Sequence, residues 1–360
     1  GGKWGRWRHD EMPSDCVFAY DSIYESGEIE RLWEETGADV GKRIEEDFFR
    51  GAIRQDGFHE PTYGNASPRI YEGYATIGRV LGDPSLVHEA VRRSRVLFQR
   101  EFFEEGYWRE GSIGYHTMTM NGMRRVFEAL RGYTDPDGYV DPDDGTRLDD
   151  LDLERDTQII EKANRITEIC RYPDGRPFPV HDNFARFGEE KPERSISTVL
   201  DGYGHAWLGS GTGMSQTQVH LHYSGGYGHE HADSLNIIVH AKGKELLPDI
   251  GYTHTRYRSW STGTLCHNTV VIDEERQYTQ GEKGPSDGRL LAMETSHESA
   301  QWIEASGERS YPELADLYQR FLMMVRVGDA DVYIVDIFRV IGGSQHDWAL
   351  HGSADEDSTG

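Results

Sequence analysis

The intervals between apolar residues change near residue 200 of this 360-residue chain, and this change restricts the folds that the chain can adopt. Up to about residue 170 apolar residues recur at helical spacing, as at Ile70, Tyr74, Ile77 and Leu81. From about residue 201 apolar and other residues alternate, which is typical of strands, in the runs 217–223, 236–241, 269–273, 290–294, 321–327 and 332–338. These patterns predict an α+β chain in which an (α/α) helical toroid precedes an antiparallel β-sandwich.

Turn-forming residues indicate the boundaries of these parts. Asp83-Pro84 predicts the end of one helix and the start of the next, and 156–169 has the pattern of a further helix. The stretch 133–152 is rich in Asp, Gly and Pro and predicts a long loop, whereas the charged, proline-containing stretch 174–200 predicts a linker. We therefore expect a helical part over 1–173, a linker over 174–200 and a sandwich over 201–360.

Composition excludes several classes of function. The net charge of −25 disfavours nucleic acid as a partner, because phosphates require Lys and Arg. No run approaches the ~20 apolar residues that span a bilayer, so we expect no membrane insertion. The three cysteines cannot all pair within the chain and lack zinc-finger spacing, so we expect free thiols. The first residues show no apolar stretch of a signal peptide.

Two histidines stand beside a glycine run in the segment 225–233, which reads GGYGHEHAD. Asp249 lies 18 residues after His231, and His267 lies 18 residues after Asp249. Zn²⁺ accepts imidazole nitrogen and carboxylate oxygen, so these three residues predict a divalent-metal site with zinc as the metal. His229 is not part of this ligand set, so it would lie near the metal and be available to take part in a reaction. The alternative is a pair of surface histidines beside a glycine turn.

These motifs resemble the sandwich-domain signature of the heparinase II/III-like polysaccharide lyases. The resemblance rests on GYGHEHAD, then LLPDIGY and HNTVVID, and it extends upstream to YWREGSIGY and PDGRP and downstream to two strand-like segments. It covers about residues 63–352. Relatives carry more helical repeats and continue further, so the resemblance implies an incomplete toroid and a chain truncated at both ends.

The resemblance also implies roles for single residues. It places the metal on His231, Asp249 and His267, and a catalytic or charge-neutralising role on His229. It makes Tyr115 the general acid that protonates the leaving glycosidic oxygen, and for some substrates also the base that first takes the C5 proton. The alternative for Tyr115 is a core aromatic residue at the start of a helix.

The residue that neutralises the substrate carboxylate is left open between Asn65 and His59. Family members place Asn, or an Asn-His pair, in this region, but here Ala66 follows Asn65 and the pair is absent. The separation of His59 from Tyr115 is nearer the spacing of the family. The alternative for Asn65 is the N-cap of the helix that follows.

A second tyrosine is a candidate base. Relatives that cleave the other C5 epimer use a Tyr or His from the stretch that contains Tyr257, and Tyr252 competes for this role. Arg256 and Arg258 are candidates to bind a substrate carboxylate or sulfate. The alternative for all of them is a solvated polar loop.

The resemblance implies a carbon–oxygen lyase that cleaves an acidic, uronate-containing polysaccharide by β-elimination and leaves 4,5-unsaturated uronate ends. It also implies a secreted or periplasmic protein. Tyr115 lies in the helical part and His229 in the strand part, so we expect the site between the two. Alternatives are a zinc-dependent glycan hydrolase, with Glu230 as its base, and a non-catalytic glycan-binding protein. His181-Asp182 and His205 are interpreted as structural. Neither the particular polysaccharide nor the oligomeric state is indicated.

Overall fold

The computed structural model describes residues 12–57, 60–184 and 191–353, so the predicted substrate-binding residue His59 lies outside the described residues. The chain divides into two compact units. A helical unit comprises Gly1–Phe102 and Thr117–Asn164, and a β unit comprises Phe103–His116 and Arg165–Gly360.

The first half of the chain is helical, as the apolar spacing predicts. Proline stands at the start of both α5 and α6, where its missing N–H leaves no hydrogen bond unmade. The predicted helix boundary at Asp83-Pro84 is confirmed, and the stretch 133–152 contains no helix. The helices are α1 (Ser14–Ile23), α2 (Glu28–Thr36), α3 (Val40–Arg43), α4 (Arg50–Asp56), α5 (Pro68–Val80), α6 (Pro84–Glu101), α7 (Ile113–Leu130) and α8 (Gln158–Ile169), with a π-helical segment Ile44–Phe49 before α4.

The second half forms antiparallel sheets, and a short helix, α9 (Arg258–Ser261), interrupts it. The strands are β1 (Thr198–Leu200), β2 (His205–Ser210), β3 (Thr217–His222), β4 (Ile237–Ala241), β5 (Lys244–Leu247), β6 (Val270–Ile272), β7 (Arg289–Glu294), β8 (Ala300–Ser306), β9 (Leu317–Arg326), β10 (Val332–Ile341) and β11 (His346–Trp348). One sheet has the order β1-β2-β3-β4-β5, another β10-β9-β8-β7, and β11 pairs with β6. The predicted class, an incomplete (α/α) toroid followed by an antiparallel β-sandwich, is confirmed.

The central strands of the five-stranded sheet, β2, β3 and β4, are buried on both faces. Val219 and Leu221 of β3 pack in one core with Ile303 of β8 and Leu322 of β9, so this face meets the four-stranded sheet. Alternate residues of a strand point to opposite faces. The other face of β2 and β3 therefore carries Trp207 and a row of histidines, which are buried as well.

Part of the predicted linker is packed into the β unit. Phe178 and Val180 are each 2% exposed and join a second core with Tyr203 and Trp207. Prolines and charges indicated the irregular backbone here, but they gave no sign that its apolar residues would be buried. The division into units also assigns 103–116 and 165–173 to the β unit, whereas the sequence placed them in the helical part.

Membrane insertion was not expected from the sequence. Over the residues that the structure describes, no helix combines the length and the apolar character that crossing a bilayer requires.

Candidate active site and metal centre

A buried carboxylate, Asp182, lies at the centre of the polar cluster that contains His229. Its oxygens accept hydrogen bonds from Nδ1 of His229 (3.0 Å) and Nε2 of His231 (3.1 Å). Both terminal nitrogens of Arg258 donate to it, at 2.8 and 2.6 Å. Burial raises the pKa of Asp182, but the bonds from His229, His231 and Arg258 outweigh burial and hold this pKa below its usual range. Asp182 is therefore ionised and fixes three cationic or polar side chains.

His229 is held in a defined orientation. Its backbone N–H donates to the carbonyl of Glu110 (2.9 Å), and its own carbonyl accepts from the N–H of Asp182 (2.9 Å). Because Nδ1 donates to the Asp182 carboxylate, Nε2 carries the lone pair of the neutral ring. The side chain is 26% exposed, so a proton acceptor is available to a ligand.

Tyr115 stacks on His229. The ring centroids are 3.6 Å apart and the planes differ by 9°. Burial, followed by a hydrogen bond with Tyr252, raises the pKa of Tyr115 to about 12. Tyr115 belongs to the segment Phe103–His116 of the β unit, so the expectation that the pair joins two parts of the chain is wrong. The segment packs with the strands because its apolar residues, Tyr107 and Ile113, lie in a core of that unit.

Of the two candidate tyrosines after Asp249, the structure brings Tyr252 to the site. Its backbone N–H donates to the carbonyl of Asn183 (3.1 Å), and the guanidinium of Arg258 lies 4.8 Å from its ring centroid. Tyr257 is 57% exposed, and its hydroxyl accepts from the exposed Arg256 (2.6 Å). The structure therefore does not bring Tyr257 and Arg256 to Asp182. Tyr257 is the N-cap of α9, whereas Arg258, the first residue of this helix, is directed inward to Asp182.

Asn65 lies in the helical unit, in the turn before α5. The alternative that it is the N-cap is wrong, because Ser67 occupies that position. The N–H of Gly64 donates to the Ser67 hydroxyl (2.9 Å), so the turn is closed by Ser67.

The predicted metal ligands lie together in the β unit. One ligand atom each of His231, Asp233 and His267 lies within 4.8 Å of the others. Oδ2 of Asp249 lies 3.4 Å from Nδ1 of His267, and the Asp249 carboxylate also accepts from Asn236 and from the N–H of Gly251. The structure thus adds Asp233 to the predicted set. The sequence contained it in the GHEHAD motif, two residues after His231, but its proximity to His267 was not predicted.

Several buried atoms of this centre have no hydrogen-bond partner within the described part of the chain. They are Nδ1 of His231, both ring nitrogens of His267 and Oδ2 of Asp233. Buried polar atoms normally have partners, and leaving one unsatisfied costs about 1–3 kcal/mol. A divalent cation would satisfy them together, so the residues present fit a metal such as zinc. His231 already donates Nε2–H to Asp182, which leaves Nδ1 for the metal.

The Glu230 carboxyl group is bound to the backbone of a turn and is not among the side chains that form the metal centre. Its Oε2 accepts from the backbone N–H groups of Gly226 (2.6 Å) and Tyr227 (3.0 Å), and burial raises its pKa well above the usual value. A carboxyl group bound to this turn is poorly placed to activate a metal-bound water.

Residues 195–358 match the heparinase II/III-like, C-terminal family. Over 152 residues the chain is 25% identical to an alginate lyase of Stenotrophomonas maltophilia (strain K279a). This match covers 38% of the chain and 20% of the alginate lyase.

Solved structures share the fold. A heparinase III crystal structure aligns with a TM-score of 0.60 and 16% identity, over 88% of this chain and 54% of the other. A heparan sulfate lyase from Pedobacter heparinus aligns with a TM-score of 0.61 and 17% identity, over 82% and 49%. The chain thus spans about half the length of the structures that it matches.

Proposed function

Since residues 195–358 belong to the heparinase II/III-like, C-terminal family, we propose that the chain is part of a polysaccharide lyase that cleaves a uronate-containing polymer by β-elimination. The observation that carries this proposal is the Tyr115–His229 stack, held by Asp182. It places a phenol O–H and an imidazole lone pair side by side. A lyase needs these two groups, one to accept the C5 proton and one to protonate the leaving oxygen.

The elimination moves one proton to the enzyme and one to the leaving group. His229, through Nε2, accepts H5 of the uronate, the C5–H electrons form the C4=C5 double bond, and the C4–O4 bond breaks. Tyr115 donates its phenolic proton to O4. The products are a 4,5-unsaturated uronate and a new sugar hydroxyl, and neither water nor a redox partner is consumed.

The protonation state of Tyr115 supports its role as the acid. With a pKa of about 12, its phenol stays protonated at neutral pH. For substrates whose C5 proton lies on the phenol side, Tyr115 first loses its phenolic proton to solvent, takes H5 as the phenolate and then donates this proton to O4.

Neutralising the substrate carboxylate makes H5 acidic, because the charge of the intermediate spreads into an enolate-like state. Asn65 is proposed for this role from the resemblance, and its residue type supports it. Arg258 contributes positive charge beside Asp182, with a side chain that is 41% exposed. Tyr252 replaces Tyr257 as the second tyrosine, because Tyr252 contacts Arg258.

We also propose a zinc ion on His231, His267 and a carboxylate. Asp249 and Asp233 lie at opposite ring nitrogens of His267, at 3.4 and 3.9 Å. One carboxylate therefore completes the ligand set, and the other accepts the remaining N–H of His267. When bound, the ion supplies fixed positive charge and holds His231, and through Asp182 the orientation of His229.

The proposed substrate class is an acidic polysaccharide. The relatives named above include an alginate lyase and a heparan sulfate lyase, and alginate and heparan sulfate are both uronate-containing polymers. A secreted or periplasmic location is part of this proposal, because such polymers lie outside the cytoplasm. The hydrolase alternative is less well supported, because Glu230, the base that it requires from the sequence, is bound to the backbone N–H groups of Gly226 and Tyr227.

The test is a panel of alginate, heparan sulfate, chondroitin sulfate and ulvan, incubated with the purified chain. Ultraviolet absorbance of the unsaturated uronate should rise with at least one polymer. Reducing ends that increase without this absorbance would indicate hydrolysis and contradict the proposal. Binding without either signal would favour the glycan-binding alternative.

A further inference from the structure

A second group of buried histidines lies next to the site described above. His181, His205 and His222 are each fully buried, on the face of the five-stranded sheet that is turned away from the sandwich core. One ring nitrogen of each lies within 4.8 Å of a ring nitrogen of the other two. Neither the resemblance nor the proposed lyase mechanism gives these side chains a role.

The distances among these side chains match those of a tetrahedral metal site. Nε2 of His181 lies 3.3 Å from Nε2 of His205. The hydroxyl oxygen of Ser224 lies 3.2 Å from Nε2 of His205 and 3.2 Å from Nδ1 of His222. Zinc–nitrogen bonds of about 2.0–2.1 Å place the ligand atoms of a tetrahedron about 3.3 Å apart. Three of the six edges of such a tetrahedron are therefore present.

The outward-facing nitrogens of the three rings have polar neighbours, as the outer nitrogens of metal-bound histidines usually do. Nδ1 of His205 lies 2.8 Å from Nε2 of His220. Nε2 of His222 lies 3.3 Å from Oδ2 of Asp233. Nδ1 of His181 lies 3.6 Å from the same oxygen and accepts a long hydrogen bond from the backbone N–H of His231 (3.4 Å). N–H groups of His205 and His222 directed to these neighbours leave the lone pairs of Nε2 of His205 and Nδ1 of His222 facing Ser224. His181 turns a lone pair to the same point once its Nδ1–H is directed to Asp233 in place of the bond from His231.

The backbone at His181 supports a built site. His181 has a φ of +58°, in the left-handed region that few side chains adopt. This conformation separates two consecutive side chains, so that the His181 ring reaches His205 while the Asp182 carboxylate reaches His229. Strained residues persist where the surrounding structure holds them, and they concentrate at functional sites.

We propose that His181, His205 and His222 bind a second zinc ion, with Ser224 at the fourth position. This site shares Asp233 with the centre at His231 and His267, because Oδ2 of Asp233 faces both groups of histidines. The second ion would link His181, in the irregular segment 178–183, to His205 on β2 and His222 on β3. It would thereby hold the neighbouring residue Asp182 in its orientation. The proposal does not rest on lyase activity.

The first test counts zinc per chain by elemental analysis, after loading with zinc and removal of the unbound metal. The wild-type chain should hold two equivalents. His205→Gln should hold one, and His267→Gln should also hold one, because each variant loses a different site. His240→Gln is the matched control, since His240 is a buried histidine on β4, stacked on Tyr172, outside both groups. It should hold two.

A folded His205→Gln chain that keeps the wild-type zinc content would overturn the proposal. So would a wild-type chain whose single equivalent is lost in His267→Gln. If His205→Gln does not fold, anomalous diffraction at the zinc edge on wild-type crystals decides the matter. It should show a peak between His181, His205 and His222, and a map without that peak contradicts the second site. Failure of the polysaccharide assay leaves these counts unaffected.

Discussion

At the scale of single residues, Asp182 is the side chain on which the candidate site depends. Its two oxygens receive four hydrogen bonds, from His229, His231 and Arg258. The sequence could indicate His229 and His231 by their spacing. It could not indicate Asp182, because nothing in the sequence shows that a residue 47 positions earlier would lie against His229.

We expect Asp182→Asn to lower kcat by about 10²-fold or more while changing KM little. An amide can present its NH₂ to His229, which favours the wrong tautomer and removes the lone pair from Nε2. Steady-state kinetics on the best polymer of the panel measure this effect. Asp331→Asn is the control, since Asp331 is an exposed residue whose carboxylate forms an ion pair with the exposed Lys242. Equal activity of both variants would show that Asp182 has no part in catalysis.

The pKa of Tyr115 predicts the alkaline side of the pH profile. A general acid must be protonated, so activity should persist above pH ~10, the usual tyrosine pKa, and fall as pH approaches the Tyr115 pKa of about 12. Because the pKa of Tyr115 is raised, its phenol stays neutral to a higher pH than the phenol of an ordinary tyrosine. Initial rates between about pH 7 and 11 measure this. Activity that increases steadily toward pH 11 would instead assign Tyr115 the role of base.

At the scale of elements, loops rather than strands assemble the site. The segment 178–183 has no regular structure, yet it contributes His181 and Asp182, and the loop after β5 contributes Asp249, Tyr252 and, at its end, Arg258. Alternation predicted β3, β4, β6, β7, β9 and β10. It missed β8, in which the adjacent apolar residues Trp302 and Ile303 break the alternation, and it missed β1, β2 and β5. The resemblance alone indicated β11. Periodicity reports local pattern, so it carries no information on which loops will meet.

The loop after β5 lies close to the segment 178–183 at Gly251, where only a glycine fits. Gly251 has a φ of +65°, and a Cβ atom here would lie 2.4 Å from the Asn183 carbonyl and 2.8 Å from the Pro179 carbonyl. Gly251→Ala should therefore lower the free energy of unfolding by about 1–3 kcal/mol and reduce kcat, because the backbones that place Asp249 and Asp182 must separate.

Urea unfolding and steady-state kinetics measure these two effects. Gly328→Ala is the matched control, because a Cβ atom at Gly328 meets no atom within 4 Å and its φ is not positive. If both variants unfold alike, the close approach of the two loops does not contribute to stability.

At the scale of the whole molecule, the net charge of −25 sets the conditions under which a polyanion can bind. The fold class and the order of its parts could be predicted, because a change of apolar period is a property of long segments. The assignment of Tyr115 to the β unit could not. That assignment depends on the core contacts of Tyr107 and Ile113, which are made with residues distant in sequence.

We expect kcat/KM on an acidic polymer to rise severalfold when ionic strength increases from about 10 mM to about 150 mM. The Debye length falls from about 30 Å to about 8 Å over this range, so long-range repulsion is screened while contacts inside the site persist. Initial rates at low polymer concentration measure kcat/KM. A steady decrease over the same range would show that local positive charge at the site, rather than the net charge, dominates the encounter.

The most direct test of the account is the turnover of Tyr115→Phe, measured as ultraviolet absorbance of the unsaturated product. The substitution keeps the ring that stacks on His229 and removes one hydroxyl, so the fold and substrate binding should persist. The account predicts a loss of about 10²–10⁴-fold in kcat with KM nearly unchanged. The exposed Tyr333→Phe should match the wild type. A Tyr115→Phe chain that retains most of its turnover would contradict the account and move the acid role to Tyr252.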